Sequence, residues 1–216
     1  MLAANDVYAK SVVDCVLDLV YVVDSSGSIG QRNWMITLQF LTSVTRLFDI
    51  GPDHVRVSFV LFSTDATVEW GLTRYQDRLS LTSAIGNVRY LGFRTNLNEA
   101  LYLTRTQVFA SARPNALKAA IILTDGVDNV PTTRTQLTIQ NATECKRQGI
   151  RLVTVGVTNQ VDVQRLRQIA SDPDRHVFRV DDFSDLMNIN TRLRPVVCGG
   201  TLSNLIKYQI SFYTSN

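Results

Sequence analysis

Short apolar runs rich in β-branched residues alternate with segments of helical period along the 216-residue chain. Leu17 to Val23 (LDLVYVV), Val55 to Phe62 (VRVSFVLF), Ala119 to Leu123 (AAIIL) and Arg151 to Val157 (RLVTVGV) have the length and composition of buried strands. Between them, Trp34 to Phe48 sets Met35, Leu38, Leu41, Val44 and Phe48 on one helical stripe, and Leu97 to Phe109 repeats the pattern with Leu101 and Val108. Thr133 to Gln148, closed by Gly149, reads as a third helix, and Val161 to Ala170 and Phe183 to Leu193 complete the set. Thr67 to Trp70, close behind the second strand, suits an antiparallel edge. Buried strands separated by helices predict a doubly wound α/β domain. Its six-stranded sheet is mostly parallel, with one short antiparallel edge strand and helices on both faces, because right-handed crossovers place them there.

Such folds collect ligands at the carboxyl ends of their strands. Asp24-Ser25-Ser26-Gly27-Ser28-Ile29-Gly30 follows the first strand, Leu123-Thr124-Asp125-Gly126-Val127-Asp128 ends a central one, and Phe93-Arg94-Thr95-Asn96-Leu97 precedes a helix. Singly, each segment is ordinary turn and capping chemistry. Together they set Asp24 and Asp125 on either side of one crevice, with hydroxyls and no basic residue between them. Carboxylates that close repel and raise each other's pKa unless a cation neutralises them. Oxygen donors alone suit Mg²⁺, Mn²⁺ or Ca²⁺ and argue against zinc or copper. Two Asp balance a divalent ion, with Ser26, Ser28 and Thr95 as neutral donors.

Composition narrows the classes. Hydrophobic residues make up 45% and charged residues 19%, which supports a sizeable core and excludes disorder, and 11 Gly with 5 Pro exclude collagen-like repeats. The net charge of +3 is spread without a Lys/Arg run, so nucleic acid is not indicated. No stretch has the apolar length of a membrane span or a signal peptide; Met1-Leu2-Ala3-Ala4 reads as the start of a mature segment, with any secretion signal outside it. Catalysis finds no support. An Asp-based phosphohydrolase needs a second acid two residues after its first, where Ser26 stands, Gly-x-Ser-x-Gly is missing, and His54 and His176 fall at strand starts, away from the crevice. Nucleotide-binding glycine loops are missing as well.

The DxSxS spacing of Asp24, Ser26 and Ser28, with Thr95 ahead of a helix and Thr124-Asp125-Gly126, resembles the metal-ion-dependent adhesion site of von Willebrand factor type A domains. The resemblance spans about residues 17 to 194, and within the family it is nearest the extracellular-matrix domains of matrilin and collagen VI type. It implies a Rossmann-like fold in which Ser26 and Ser28 bind the ion directly, Thr95 directly or through water, and Asp24 and Asp125 mostly through water. It further implies Mg²⁺, a partner Glu or Asp completing the octahedron, and an extracellular-matrix partner such as collagen. The alternative is a structural matrix-assembly module with a metal-independent partner surface, for which Arg89, Arg94, Arg105 and Arg113 are the candidates.

Cys15, Cys145 and Cys198 are too far apart for a zinc cluster, and three thiols leave either no disulfide or one with a remainder. In a parallel α/β fold the first strand begins, and the last helix ends, on the same face, so Cys15 and Cys198 are expected to pair, with Cys145 buried and free. An oxidising compartment follows, hence a secreted matrix protein of which this is one module. Asn141-Ala142-Thr143 is a candidate N-glycosylation site. The expected organisation is an N-terminal extension over 1–14, the type A domain over 15–198, and a tail or neighbouring module over 199–216, in which Tyr208, Ile210 and Phe212 alternate.

Overall fold

Parallel strands buried on both faces need apolar side chains at nearly every position, and the first strand meets that demand. All eight residues of β1 (Leu17–Asp24) are buried. The computed structural model describes residues 15–126 and 132–199; the expectations for residues 1–14, for Val127 and Asp128, and for Tyr208, Ile210 and Phe212 lie outside them. The other strands are β2 (Val55–Phe62), β3 (Ala66–Trp70), β4 (Leu117–Thr124), β5 (Ile150–Val157) and β6 (Val177–Val180). They form one six-stranded sheet in the order β3-β2-β1-β4-β5-β6. Every pairing is parallel except β2 with β3. The order reverses between β1 and β4, which lie side by side from Leu17 opposite Leu117 to Val23 opposite Leu123.

The period of two along β1 divides the core. Leu17, Leu19, Tyr21 and Val23 face one layer, with Trp34, Phe40 and Leu41 of helix α1 (Gly30–Thr45) and Leu81 and Ile85 of α2 (Arg78–Gly86). Val20 and Val22 face the other, with Ala100 and Leu101 of α3 (Leu97–Leu103), Cys145 of α4 (Thr132–Arg147) and Ile169 of α5 (Val163–Ile169). A 3₁₀ segment, Phe183–Ile189, leads into α6 (Asn190–Val197) on the first layer.

Three expectations change. Met35 is exposed, and Trp34 takes its place in the core, donating Nε1–H to Val88 O at 3.0 Å. The helix reading of Leu97 to Phe109 holds only to Leu103, after which the chain widens into a π turn and tightens into a 3₁₀ turn; Thr104 Oγ1 donates back to Ala100 O at 2.7 Å there. Helix α2 is additional. Asp77 caps it by accepting Ser80 N–H at 2.8 Å, but exposed Leu79 breaks its apolar stripe.

At the amino end of β1, Asp18 is fully buried opposite Arg56 of β2. Arg56 donates to both carboxylate oxygens at 2.8 and 2.7 Å, and Arg113 adds its backbone N–H at 2.7 Å and its Nε at 3.0 Å. Burial pushes the Asp18 carboxyl up, but these hydrogen bonds outweigh it, so it titrates below its ordinary value. A disulfide joins Cys15 to Cys198 beside this cluster, with Cα atoms 5.7 Å apart and 183 residues of separation. On the chain-entropy model a loop of that length contributes about 5 kcal/mol. Cys145 is buried and outside the disulfide, and burial pushes its thiol up to about 12.

Asp18→Ala strands two half-buried guanidiniums and is expected to lower stability by about 3–5 kcal/mol in urea unfolding at neutral pH. Because the folded-state pKa of Asp18 is depressed, its contribution is present above 3.8 and is lost as pH falls through the folded value. A loss below about 1 kcal/mol would show that the strand ends are held by other contacts.

Candidate metal centre

The crevice between the carboxyl ends of β1 and β4 gathers Asp24, Ser26, Ser28 and Asp125. Asp24 is fully buried at the end of β1, where its Oδ1 accepts the Ser26 N–H at 2.8 Å and closes the chain into a turn. That turn brings Ser26 Oγ within 3.1 Å of Ser28 Oγ, and Ser28 Oγ donates to Asp125 Oδ1 at 2.9 Å across 97 residues of sequence. Thr95 is buried just ahead of Asn96, whose side chain caps α3 by accepting Glu99 N–H at 3.3 Å.

Side chains without a motif hold the loops in place. Thr124 Oγ1 lies 2.6 Å from Asp24 Oδ2 and 2.7 Å from Gly126 O. Tyr90 donates its hydroxyl to Ser26 O at 2.9 Å and accepts Gly30 N–H at 3.0 Å. Ser25 Oγ accepts Leu91 N–H at 2.8 Å, and Ser63 Oγ donates to Arg94 O at 3.0 Å. Gly27 is required by close approach: its N–H donates to Phe93 O at 2.7 Å, and a Cβ there would lie 3.1 Å from Gly92 O. Thr124 stands in the Thr-Asp-Gly triplet, whereas Tyr90 and Ser63 act over 30 or more residues and leave no local pattern.

Burial pushes the Asp24 carboxyl up to about 7, opposed by hydrogen bonds from Thr124 and Ser26 and reinforced by Asp125. Asp125 is raised too, chiefly by burial, with the Ser28 hydroxyl opposing. One Thr124 proton serves Asp24 or Gly126 O at a time.

The donor set fits a hard cation. Two Ser oxygens 3.1 Å apart match an octahedral edge, about 3 Å for bonds of 2.0–2.1 Å at right angles. Each hydroxyl would turn a lone pair to such an ion while giving its proton to a neighbour, as Ser28 gives its own to Asp125. Among the described residues no group of three His, Cys, Asp or Glu side chains gathers to hold a metal, so an ion here depends on hydroxyls beside two carboxylates.

Two of the four arginines considered for a metal-independent surface are employed elsewhere. Arg113 is bound to Asp18 at the far end of the sheet, and Arg105 donates its Nε–H to Asn141 Oδ1 at 2.9 Å. Exposed Arg89 and Arg94 remain near the crevice. Asn141 lies inside α4, and its Nδ2, the atom that a glycan would occupy, donates to Asn98 Oδ1 at 2.8 Å.

A doubly wound sheet with an acid-and-hydroxyl crevice at its switch point defines a class of ligand-binding α/β domains. A sequence profile of the von Willebrand factor type A domain matches residues 18–192, and the chain belongs to that family. It is 36% identical over 199 residues to the collagen alpha-1(XII) chain of Notophthalmus viridescens, covering 88% of this chain and 20% of that one. It is 31% identical to human matrilin-3, covering 84% of this chain and 37% of the relative. The chain thus spans about a fifth of the collagen it matches. Among solved structures, proximal thread matrix protein 1 from the mussel byssus, with its MIDAS motif occupied by zinc, superposes with a TM-score of 0.78 at 27% identity. The match covers 87% of this chain and 47% of that one. Hardness therefore ranks cations at such sites without excluding zinc, which also accepts oxygen ligands. No helix among the described residues is long and apolar enough to cross a membrane.

A proton and a cation compete for Asp24. Its folded-state pKa is raised from 3.8 to about 7, so in chelator its stabilising contribution is complete below the lower value and is lost as pH rises through the upper one. A divalent cation bound beside Asp24 would reverse that loss. The gain in Tm on adding Mg²⁺ is expected to be small near pH 5 and to grow towards pH 8; an equal gain at both would show that the ion does not engage Asp24.

Proposed function

We propose that the domain is a secreted extracellular-matrix adhesion module that binds a protein ligand through a divalent cation, Mg²⁺ in the first instance, held by Asp24, Ser26, Ser28, Thr95 and Asp125. The observation that carries this reading is the pair of buried carboxylates, Asp24 and Asp125, joined to two serine hydroxyls with no protein cation among them. When bound, the ion supplies positive charge and an open coordination position. Ser26 and Ser28 orient their hydroxyls towards it, Asp24 and Asp125 balance its charge, and Tyr90 and Ser63 keep the loops from yielding. The balanced site accepts a Glu or Asp of the partner without repulsion, and the exposed residues of the 89–94 loop select among partners. A fibrous matrix protein such as collagen fits the kinship with matrix collagens and matrilins. Binding rather than catalysis is the role that the kinship with matrix collagens and matrilins supports.

Solid-phase binding to fibrillar collagen and to matrix extract, in Mg²⁺ and in EDTA, tests this. Asp24→Ala is expected to weaken Mg²⁺ about 10–100-fold, and Thr95→Ala to leave the melting temperature in place while weakening partner capture. Capture that survives both EDTA and Thr95→Ala would replace metal-bridged adhesion with a metal-independent assembly surface.

A further inference from the structure

The loop that leads from α2 to α3 leaves apolar surface in water at the mouth of the crevice. Phe93 is 69% exposed and Leu91 40%, whereas every other phenylalanine of the described residues is buried. A slack backbone is not the cause. Phe93 N–H donates to Ser63 Oγ at 3.1 Å, and Phe93 O accepts the Gly27 N–H at 2.7 Å. On either side, Gly92 N–H donates to Ser25 O at 2.9 Å, Leu91 N–H to Ser25 Oγ at 2.8 Å, and Arg94 O accepts the Ser63 hydroxyl at 3.0 Å. Gly92 has a φ of +79°, and a Cβ there would lie 3.2 Å from the Tyr90 ring, so the turn that aims Phe93 favours glycine twice over. Pairing then fixes the side on which the ring stands. Phe93 and Ser26 form an isolated parallel bridge, and residues paired in this way send their side chains to the same face. Ser26 turns its Oγ to Ser28 Oγ in the crevice. Phe93 therefore projects from the crevice side, its backbone about 4.8 Å from that of Ser26. Thr95 follows two residues on, and exposed Arg89 and Arg94 lie on either side of Phe93 in the loop.

We infer that Phe93 is a specificity residue for the partner, and that it docks an apolar side chain lying one or two residues from the acid that reaches the metal. The inference rests on metal-bridged adhesion and names the chemistry of the segment that adheres. An extended chain advances about 3.3 Å per residue, so an acid placed above Ser26 and Ser28 carries its next or next-but-one neighbour over the ring. An aromatic side chain with two rotatable bonds on a fastened backbone supplies a large contact area and loses little freedom on binding. Such anchors dominate interfaces. Arg89 and Arg94 add the charge that an acidic segment complements. The occupant is thus a segment of another protein in which an acid stands beside an apolar residue.

The test selects random linear peptides, displayed on phage, against the immobilised 216-residue chain in Mg²⁺. Enriched sequences are expected to hold Asp or Glu with Phe, Leu, Ile or Met one or two residues away. On Phe93→Ala the acid is expected to persist and the apolar preference to disappear. A synthetic copy of the leading peptide is expected to bind Phe93→Ala about tenfold or more weakly, with Phe93→Leu recovering most of the loss. Leu79→Ala, which removes an exposed apolar residue of α2, is expected to change affinity less than about twofold. The gain in Tm on adding Mg²⁺ is expected to be the same in Phe93→Ala as in the unaltered chain, which separates a lost contact from a damaged metal centre. An acid enriched without an apolar neighbour, an apolar preference that survives Phe93→Ala, or no enrichment at all overturns the inference; collagen capture in Mg²⁺ and EDTA judges metal-bridged adhesion separately. Peptides without an acid, enriched alike in Mg²⁺ and EDTA, overturn metal-bridged adhesion and the inference with it. Self-association of the chain that Phe93→Ala abolishes would make a second copy the occupant and overturn the choice of partner.

Discussion

The central strand carries a buried carboxylate near each end, and the protein treats the two in opposite ways. Asp18 receives two arginines, and its pKa is lowered. Asp24 receives a hydroxyl and a backbone N–H, faces a second acid, and is raised to about 7. Burying a carboxylate beside another without a cation costs several kcal/mol, a cost that a folded chain keeps only where something else supplies the charge. That uncompensated pair at the switch point of the sheet is the constraint from which the rest of the site follows.

The remaining architecture makes the pair rigid. Strands β1 and β4 run in register beneath it, so Asp24 and Asp125 meet because neighbouring parallel strands end together. Ser26 and Ser28 are presented by a turn that Asp24 itself closes. The 90–96 loop is fastened by Tyr90, Ser25 and Ser63 to the turns that follow β1 and β2. At the far end, the Asp18 cluster and the Cys15–Cys198 link hold the strand starts and the end of α6 together. An ion would meet a preformed arrangement of oxygens, which lowers the ordering cost of binding.

What the sequence disclosed depended on how local each signal was. Four strands and most helices followed from periodicity because their burial is nearly complete, as in β1. Asp24, Ser26 and Ser28 lie within five residues, and Asp125 and Thr95 stand at an element end and ahead of one, so spacing sufficed to propose them. Helix α2 escaped because exposed Leu79 interrupts its stripe. Met35 was misjudged because periodicity alone cannot see the hydrogen bond that draws Trp34 inwards. Tyr90 and the Arg113–Asp18 contact were illegible, since each joins residues more than 60 apart.

The most direct test of the central claim is a crystal structure of the domain grown with Mn²⁺, read by anomalous scattering. A single peak bonded to Ser26 Oγ and Ser28 Oγ, within direct or one-water reach of Asp24, Thr95 and Asp125, and missing from crystals of Asp24→Ala, is the predicted result. A crevice free of anomalous signal at saturating Mn²⁺, or an ion held by other residues, would contradict it.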